Sequence, residues 1–290
     1  MKIKEISMNK KRFLLLLVLI GLVFTLSGCT APTDANGNVT LIYLNTPFSE
    51  MMQEGVFGAI LTYPLAQAIN YFAQFTNVAI AITLVAILLN AVILLFTFKS
   101  NVSMQRMQQM QPELLKIQKK YEGRDDQNSK ARMAQEINAL YRKYDVNPLG
   151  SLLLTFLQLP IMIAMYTAVR RASAVANGTF MGYSLEMTPV EAFKAGAFVL
   201  LVIYVLMIVT QLLSMAFPLY LQNLHAKEAA EKAHKHFEKA QNPNAMMTYG
   251  MVVFIAFIML SWPVALSLYY CIYSIINIVK TYLIDKLTHK

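Results

Sequence analysis

The sequence predicts an all-α integral membrane protein, with five transmembrane helices after a lipoprotein signal peptide and a cytoplasmic antiparallel helical hairpin between spans one and two. Three observations carry this. Of 290 residues, 57% are hydrophobic and only 14% charged, with mean hydropathy +0.47, whereas soluble domains carry about 25% charged residues. Apolar runs near 76–98, 149–169, 195–217, 246–262 and 264–285 each approach the roughly 20 residues that cross about 30 Å of hydrocarbon. Of the 25 basic residues, 22 fall on one side of the membrane if the first span runs from outside to inside, which is the lysine and arginine bias of cytoplasmic loops.

The elements follow in chain order. Lys10, Lys11 and Arg12 precede an apolar stretch from Phe13 to Leu26, which ends in Leu26-Ser27-Gly28-Cys29. A charged start, a short apolar core and small closing residues read as a secretory signal over 1–28. The ending resembles a bacterial lipobox, which implies cleavage before Cys29 and acylation of its sulfur. Residues 29–75 read as an extracytoplasmic part: a polar tether over 30–38, then an amphipathic helix from Ser49 to Ala73 lying on the outer leaflet. Span one is placed at 76–98.

Residues 99–147 hold ten Lys or Arg and read as the cytoplasmic hairpin. Met104, Met107, Met110, Leu114, Ile117 and Tyr121 recur every three or four residues on the first arm. Met133, Ile137, Leu140, Tyr141 and Tyr144 do so on the second, with a polar turn from Glu122 to Asn128 between them. The methionines are expected to seal the seam between the arms, and Pro112 to kink the first. Spans two to five fill 148–285. Trp262-Pro263 makes a tight turn between the last two, because proline cannot continue a helix. The loop 218–245 reads as a charged, alanine-rich helix with solvated His225, His234 and His236. The tail is 286–290.

Polar groups inside apolar runs are the candidate functional residues. Asn90, Gln158, Gln211, Ser214, Ser274 and Asn277 lie within the spans. Such groups either join helices by hydrogen bonds or line a polar cavity. Ser and Thr can also satisfy themselves on their own helix and so say little, whereas Asn and Gln are not so easily dismissed. Only Lys280 and Asp285 are charged within the spans, near the cytoplasmic end of the last, where both are expected to reach the interface. The spans thus lack the paired charges of a secondary transporter. The chain carries no Gly-x-Ser-x-Gly, His-Glu-x-x-His or phosphate-binding loop, so no enzyme chemistry is expected. Its two cysteines, Cys29 and Cys271, make no disulfide framework, and no Cys/His cluster has zinc-like spacing. The net charge of +9 reads as positive-inside bias rather than a DNA surface.

Four stretches together resemble the YidC-type membrane protein insertases, whose relatives include the mitochondrial Oxa and chloroplast Albino proteins. These are Lys99 to Tyr121, with Gln111-Pro112-Glu113-Leu114; Tyr141-Arg142-Lys143-Tyr144 with Asn147-Pro148-Leu149-Gly150; Leu157-Gln158-Leu159-Pro160 with Ala164-Met165-Tyr166; and Pro263 with Leu268-Tyr269. The lipobox and five spans are similar to the Gram-positive form, an insertase and foldase of the bacterial cell membrane, its lipid-anchored N-terminus outside and C-terminus inside. The resemblance implies no nucleotide and no metal. It implies nascent membrane proteins as substrates, with the ribosome and the Sec translocon as partners, and a hydrophilic groove open to cytoplasm and lipid. The family keeps an arginine in that groove where this chain has Asn90, and Tyr-Trp where it has Tyr269-Tyr270. The groove is therefore expected to work by hydration and hydrogen bonding, with Asn90, Gln158, Gln211, Ser214, Tyr270 and Ser274 as its residues. The competing reading is a small-solute transporter or channel, which would want an aqueous path across the whole membrane.

Overall fold

The computed structural model describes residues 31–232 and 245–288. Cys29 and its lipobox, His234 and His236 lie outside the described residues. The described chain is helical almost throughout. It runs through α1 (Phe48–Glu54), a π-helical turn (Gly58–Thr62), α2 (Tyr63–Ala73), α3 (Val78–Gln109), α4 (Gln111–Lys120), α5 (Gln127–Lys143), α6 (Pro148–Arg171) and α7 (Ser173–Ala176). A two-stranded antiparallel pair, β1 (Thr179–Phe180) and β2 (Tyr183–Ser184), leads to α8 (Pro189–Lys194), α9 (Phe198–Lys232), α10 (Ala245–Met259) and α11 (Val264–Thr288).

Among the described residues, three helices are long and apolar enough to cross a membrane: α3, the stretch Phe198–Glu228 of α9, and α11. Helix α11 packs against both α9 and α3, and α3 also packs on α2 and α6. Their outward faces are apolar and bare. Leu95 and Phe96 on α3 are 80% and 84% exposed, and Val205, Val209 and Leu213 on α9 and Ile275 and Val279 on α11 are also exposed. Apolar surface on this scale suits a lipid solvent and would be a liability in water.

Helix α3 starts where Asn77 accepts a hydrogen bond from the Ile80 amide at 2.9 Å, an N-cap. It does not stop at the end of the predicted span. Residues 99–109, assigned by sequence to the hairpin, continue the same helix. Nothing between 98 and 109 breaks it, and the chain turns only at Met110. Pro112 then falls in the first turn of α4, where its missing N–H costs nothing. It starts a helix rather than kinking one.

Helices α4 and α5 run antiparallel. Glu113 meets Lys143 at 2.8 Å, and Lys120 meets Glu136 at 2.6 Å. Their seam buries Met110, Leu140 and Val146, with Met107, Leu114, Ile117, Tyr141 and Tyr144 against them.

The other end of the bundle is tightly closed. The segment expected to lie as one helix on the outer leaflet is broken at Gly55 (φ 136°), and one face of it buries Met51, Ala59, Ala66 and Ile69 against the protein. Thr62 shares a 2.8 Å hydrogen bond with Thr167 of α6. Ile42 pairs with the end of α6: its amide donates to the Arg171 carbonyl, and its carbonyl accepts from Ser173. Asn70 holds both strands of this arrangement, donating to the Ile42 carbonyl and accepting from the Ala174 amide. Gly178 has no room for a side chain, because a Cβ would collide with the Ala174 carbonyl and with Val78 at the start of α3. The carbonyls of Met187 and Leu185 accept from the first amides of α11, satisfying donors that a helix start leaves unpaired.

Candidate functional site: a polar cavity in one half of the bundle

The two halves of the bundle are built differently. From its start to Ala86, α3 buries Val78, Ala79, Ala81, Ile82 and Val85. The matching part of α11 buries Val264, Ala265, Leu266 and Tyr269, against Met165 of α6 and Leu200 and Met207 of α9. Past that packed half lies a cavity of about 410 Å³, lined by α3, α6, α9 and α11.

Its polar lining has a helical origin. On α3, Asn90, Thr97, Asn101, Gln105 and Gln108 follow one another at spacings of seven, four, four and three, which is one helix face. On α11, Tyr273, Asn277 and Thr281 recur every four residues, with Lys280 beside Thr281 and the apolar Ile284 one turn on. Helix α6 adds Gln158, and α9 adds Ser214 and Pro218. Pro218 lies inside α9 and has no N–H, so the Ser214 carbonyl loses its helical donor at the cavity wall.

Three of the six predicted residues, Asn90, Gln158 and Ser214, stand in this lining. The others do not. The Ser274 hydroxyl donates to Gln211 Oε1 at 2.6 Å, an α11–α9 bond in which Ser274 is buried. Tyr270 is buried in the packed core, edge-on to Tyr269 with ring centres 5.3 Å apart. It is Tyr273, one turn on, that reaches the cavity.

Three of the lining residues that sequence reasoning missed were hidden by one boundary. Cutting span one at Phe98 assigned Asn101, Gln105 and Gln108 to the hairpin, although they continue the stripe that begins at Asn90. Met104, expected in the hairpin seam, also lines the cavity.

Asn90 is also less free than expected. Its Nδ2 donates to the Ala86 carbonyl at 2.8 Å. Asn101 Nδ2 likewise donates to Thr97, and the Thr97 hydroxyl to the Ile93 carbonyl. Asn here bonds back along its own helix as Ser and Thr do, because its amide spans one helical turn just as a hydroxyl does.

At the cavity end nearest α4, a buried carboxylate ties three helices. Asp285 Oδ1 accepts from Gln105 Nε2 at 2.8 Å, and Oδ2 lies 2.9 Å from His225 Nε2. Asp285 was expected at the interface and His225 in solvent. Instead α11 turns Ile284 and Asp285 inward and both are buried. Gln222 Nε2 adds a 2.7 Å bond to the Gln108 carbonyl. No group of three or more metal-ligating side chains gathers among the described residues.

A helical bundle with bare apolar flanks defines an integral membrane protein. The comparisons agree. The family model described as 60Kd inner membrane protein matches residues 69–290, and the chain belongs to that family, the YidC-type membrane protein insertases. It is 30% identical over 278 residues to "Membrane protein insertase YidC 2" of Bacillus anthracis, covering 95% of this chain and 94% of that one. It is 30% identical over 279 residues to "Membrane protein insertase MisCA" of Bacillus subtilis, covering 95% and 92%. "Membrane protein insertase YidC" of Oceanobacillus iheyensis is 28% identical over 279 residues, covering 96% and 97%.

Proposed function

We propose that this protein inserts nascent membrane proteins by giving their polar leading segments a solvated half-way station inside the bilayer. The observation that carries the reading is the asymmetry of the bundle: a polar cavity on the α4 side, and a packed apolar core on the other. Moving an unpaired peptide group into hydrocarbon costs several kcal/mol. A cavity lined by Asn90, Thr97, Asn101, Gln105, Gln158 and Asn277 reduces that cost for part of the distance, and the sealed half thins what remains to be crossed. The apolar part of the substrate then leaves along the bare flanks of α3 and α11. Nothing in this requires a covalent step.

The reading takes its orientation from the charge bias. The α4–α5 hairpin faces the cytoplasm, where the ribosome delivers substrate and the Sec translocon works alongside. The outer end carries the tether to an acylated Cys29. Helices α6 and α10 complete five spans. A channel reading is disfavoured by the buried layer from Ile82 to Tyr269, which among the described residues is packed with apolar side chains.

The test is depletion of the protein in cells without a paralogue, followed by assay of small membrane proteins for insertion. Insertion fails on depletion and returns with the intact chain; normal insertion in the depleted cells overturns the reading. Replacing Asn90 with Leu removes a polar lining residue next to the packed half and is expected to slow insertion of substrates with polar tails several-fold.

A further inference from the structure

On the side of α3 that faces away from the polar cavity, a pocket of about 440 Å³ opens just past Phe98. Helix α3 supplies Lys99, Val102, Ser103 and Arg106, and the turn between α5 and α6 supplies Asp145 and Asn147. Lys99 lies nine residues past Asn90, which is about two and a half turns, so the two stand on opposite faces of the helix. The turn is pinned to α3. The Asn147 amide donates to Ser103 Oγ at 3.1 Å, and Arg106 Nη1 donates to Asp145 Oδ2 at 2.7 Å and to the Asp145 carbonyl at 3.3 Å. Both Arg106 bonds use Nη1, so among the described residues its Nε and Nη2 carry none. Lys99 is exposed and joins none of the ion pairs of the described residues. One carboxylate against two cations leaves the pocket one positive charge in excess.

The apolar surface leading to the pocket points to its occupant. Leu88, Val92 and Leu95, all exposed, share the Lys99 face of α3. Lys99 and Arg106 lie about 32 and about 42 Å along α3 from Val78, at about 1.5 Å per residue. Hydrocarbon is about 30 Å thick, and the headgroups extend the bilayer to about 40–45 Å. The bare stripe thus lies at the depth of acyl chains, and the two cations at the depth of phosphates. We propose that this pocket binds the phosphodiester of an anionic phospholipid in the leaflet on the hairpin side, with the acyl chains lying along Leu88, Val92 and Leu95. The single excess positive charge matches the single negative charge of a phosphodiester, and basic pockets beside membrane helices hold anionic headgroups in this way. The ammonium of Lys99 and the free guanidinium donors of Arg106 meet the phosphate oxygens. A water-soluble phosphate would gain the cations but not the stripe, which is why the site is assigned to a lipid. A headgroup held there bridges α3 and the entry to α6, at the root of the hairpin.

The test uses the full chain, purified in an uncharged detergent and freed of lipid. It is titrated with phosphatidylglycerol or phosphatidylcholine, and bound lipid is counted by native mass spectrometry. Phosphatidylglycerol is expected to bind more tightly than phosphatidylcholine, and added glycerol 3-phosphate not to displace it. Lys99→Gln is expected to weaken phosphatidylglycerol about fivefold, the share of one lysine near a membrane surface, and to leave phosphatidylcholine unchanged. Lys99→Arg keeps the affinity. So does Lys119→Gln, an equal loss of charge at an exposed position of the hairpin. Equal binding of the two lipids overturns the proposal, as does an affinity unchanged in Lys99→Gln. An equal loss in Lys119→Gln would show diffuse attraction by net charge and overturn it too. Displacement by glycerol 3-phosphate would make this a site for soluble phosphates and overturn the lipid.

Discussion

Arg171 shows what burial does to a single residue. The charge count puts it on the side opposite the hairpin, as one of only three basic residues there. In the fold it is 2% exposed. Its guanidinium donates twice to Glu54, at 2.6 and 2.8 Å, and once to the Thr40 carbonyl. It therefore fixes α1 and the chain leading to it across 117 positions of sequence. Removing one partner of such a pair leaves a buried charge uncompensated, at about 3 kcal/mol or more. Glu54→Gln should therefore lower the thermal unfolding midpoint of the detergent-solubilised protein by several degrees, and adding Arg171→Met should recover part of the loss. A midpoint unchanged by Glu54→Gln would contradict this. The charge was legible in the sequence, but the pairing was not, because no periodicity links two residues so far apart. Asn90 is the converse case. Its position in the span was legible, and its cavity neighbours Thr97 and Asn101 follow it on the same helix. Its hydrogen bond back to Ala86 could be known only from its rotamer.

At the scale of elements, hydrophobic periodicity located the helices and misjudged where function begins. In the α4–α5 seam, Met107, Met110, Leu114, Ile117, Leu140, Tyr141 and Tyr144 do pack together, because such stripes are local, whereas Met104 leaves it for the cavity. The cavity wall on α3 was cut short, because a span was closed where hydropathy fell at Lys99 although the helix runs to Gln109. A polar stripe on a continuing helix is invisible to a method that looks for apolar runs. The hairpin carries its own electrostatic signature. Lys143 and the Tyr144 hydroxyl, each 2.8 Å away, hold the Glu113 carboxyl below the usual carboxylate range. Burial and the same contact push the Tyr144 hydroxyl up to about 12. A carboxyl with a depressed folded pKa stabilises the fold above its ordinary value of 4.5 and loses that stabilisation as pH falls through the folded value. Amide exchange in α4 and α5, corrected for its intrinsic rate, should therefore be protected at neutral pH and lose protection in acid below about pH 4. In Glu113→Gln the neutral-pH protection should already be reduced, and the acid-dependent change should shrink. An identical pH response in both proteins would show that the contact does not hold the hairpin.

At the scale of the whole molecule, orientation rests on length and charge together. Helix α3 starts against Gly178, close to the β1–β2 turn, and ends beside α4. Its 32 residues span about 48 Å, against about 30 Å of hydrocarbon, which is long enough to put its two ends in different aqueous phases. The hairpin end is rich in Lys and Arg, and the β1–β2 end is nearly free of them. The positive-inside bias makes the hairpin end the expected cytoplasmic one. Two exposed positions test this without disturbing the core: Asp125, whose side chain is 95% exposed in the hairpin turn, and Met181, 73% exposed in the β1–β2 turn. In a Cys271→Ser background, Asp125→Cys in intact cells should resist a membrane-impermeant thiol reagent and react once the cells are opened. Met181→Cys should react in both conditions. Labelling of both from outside would break the hairpin's proposed side. The reverse pattern would turn the protein over and place the cavity mouth on the side from which no ribosome can feed it.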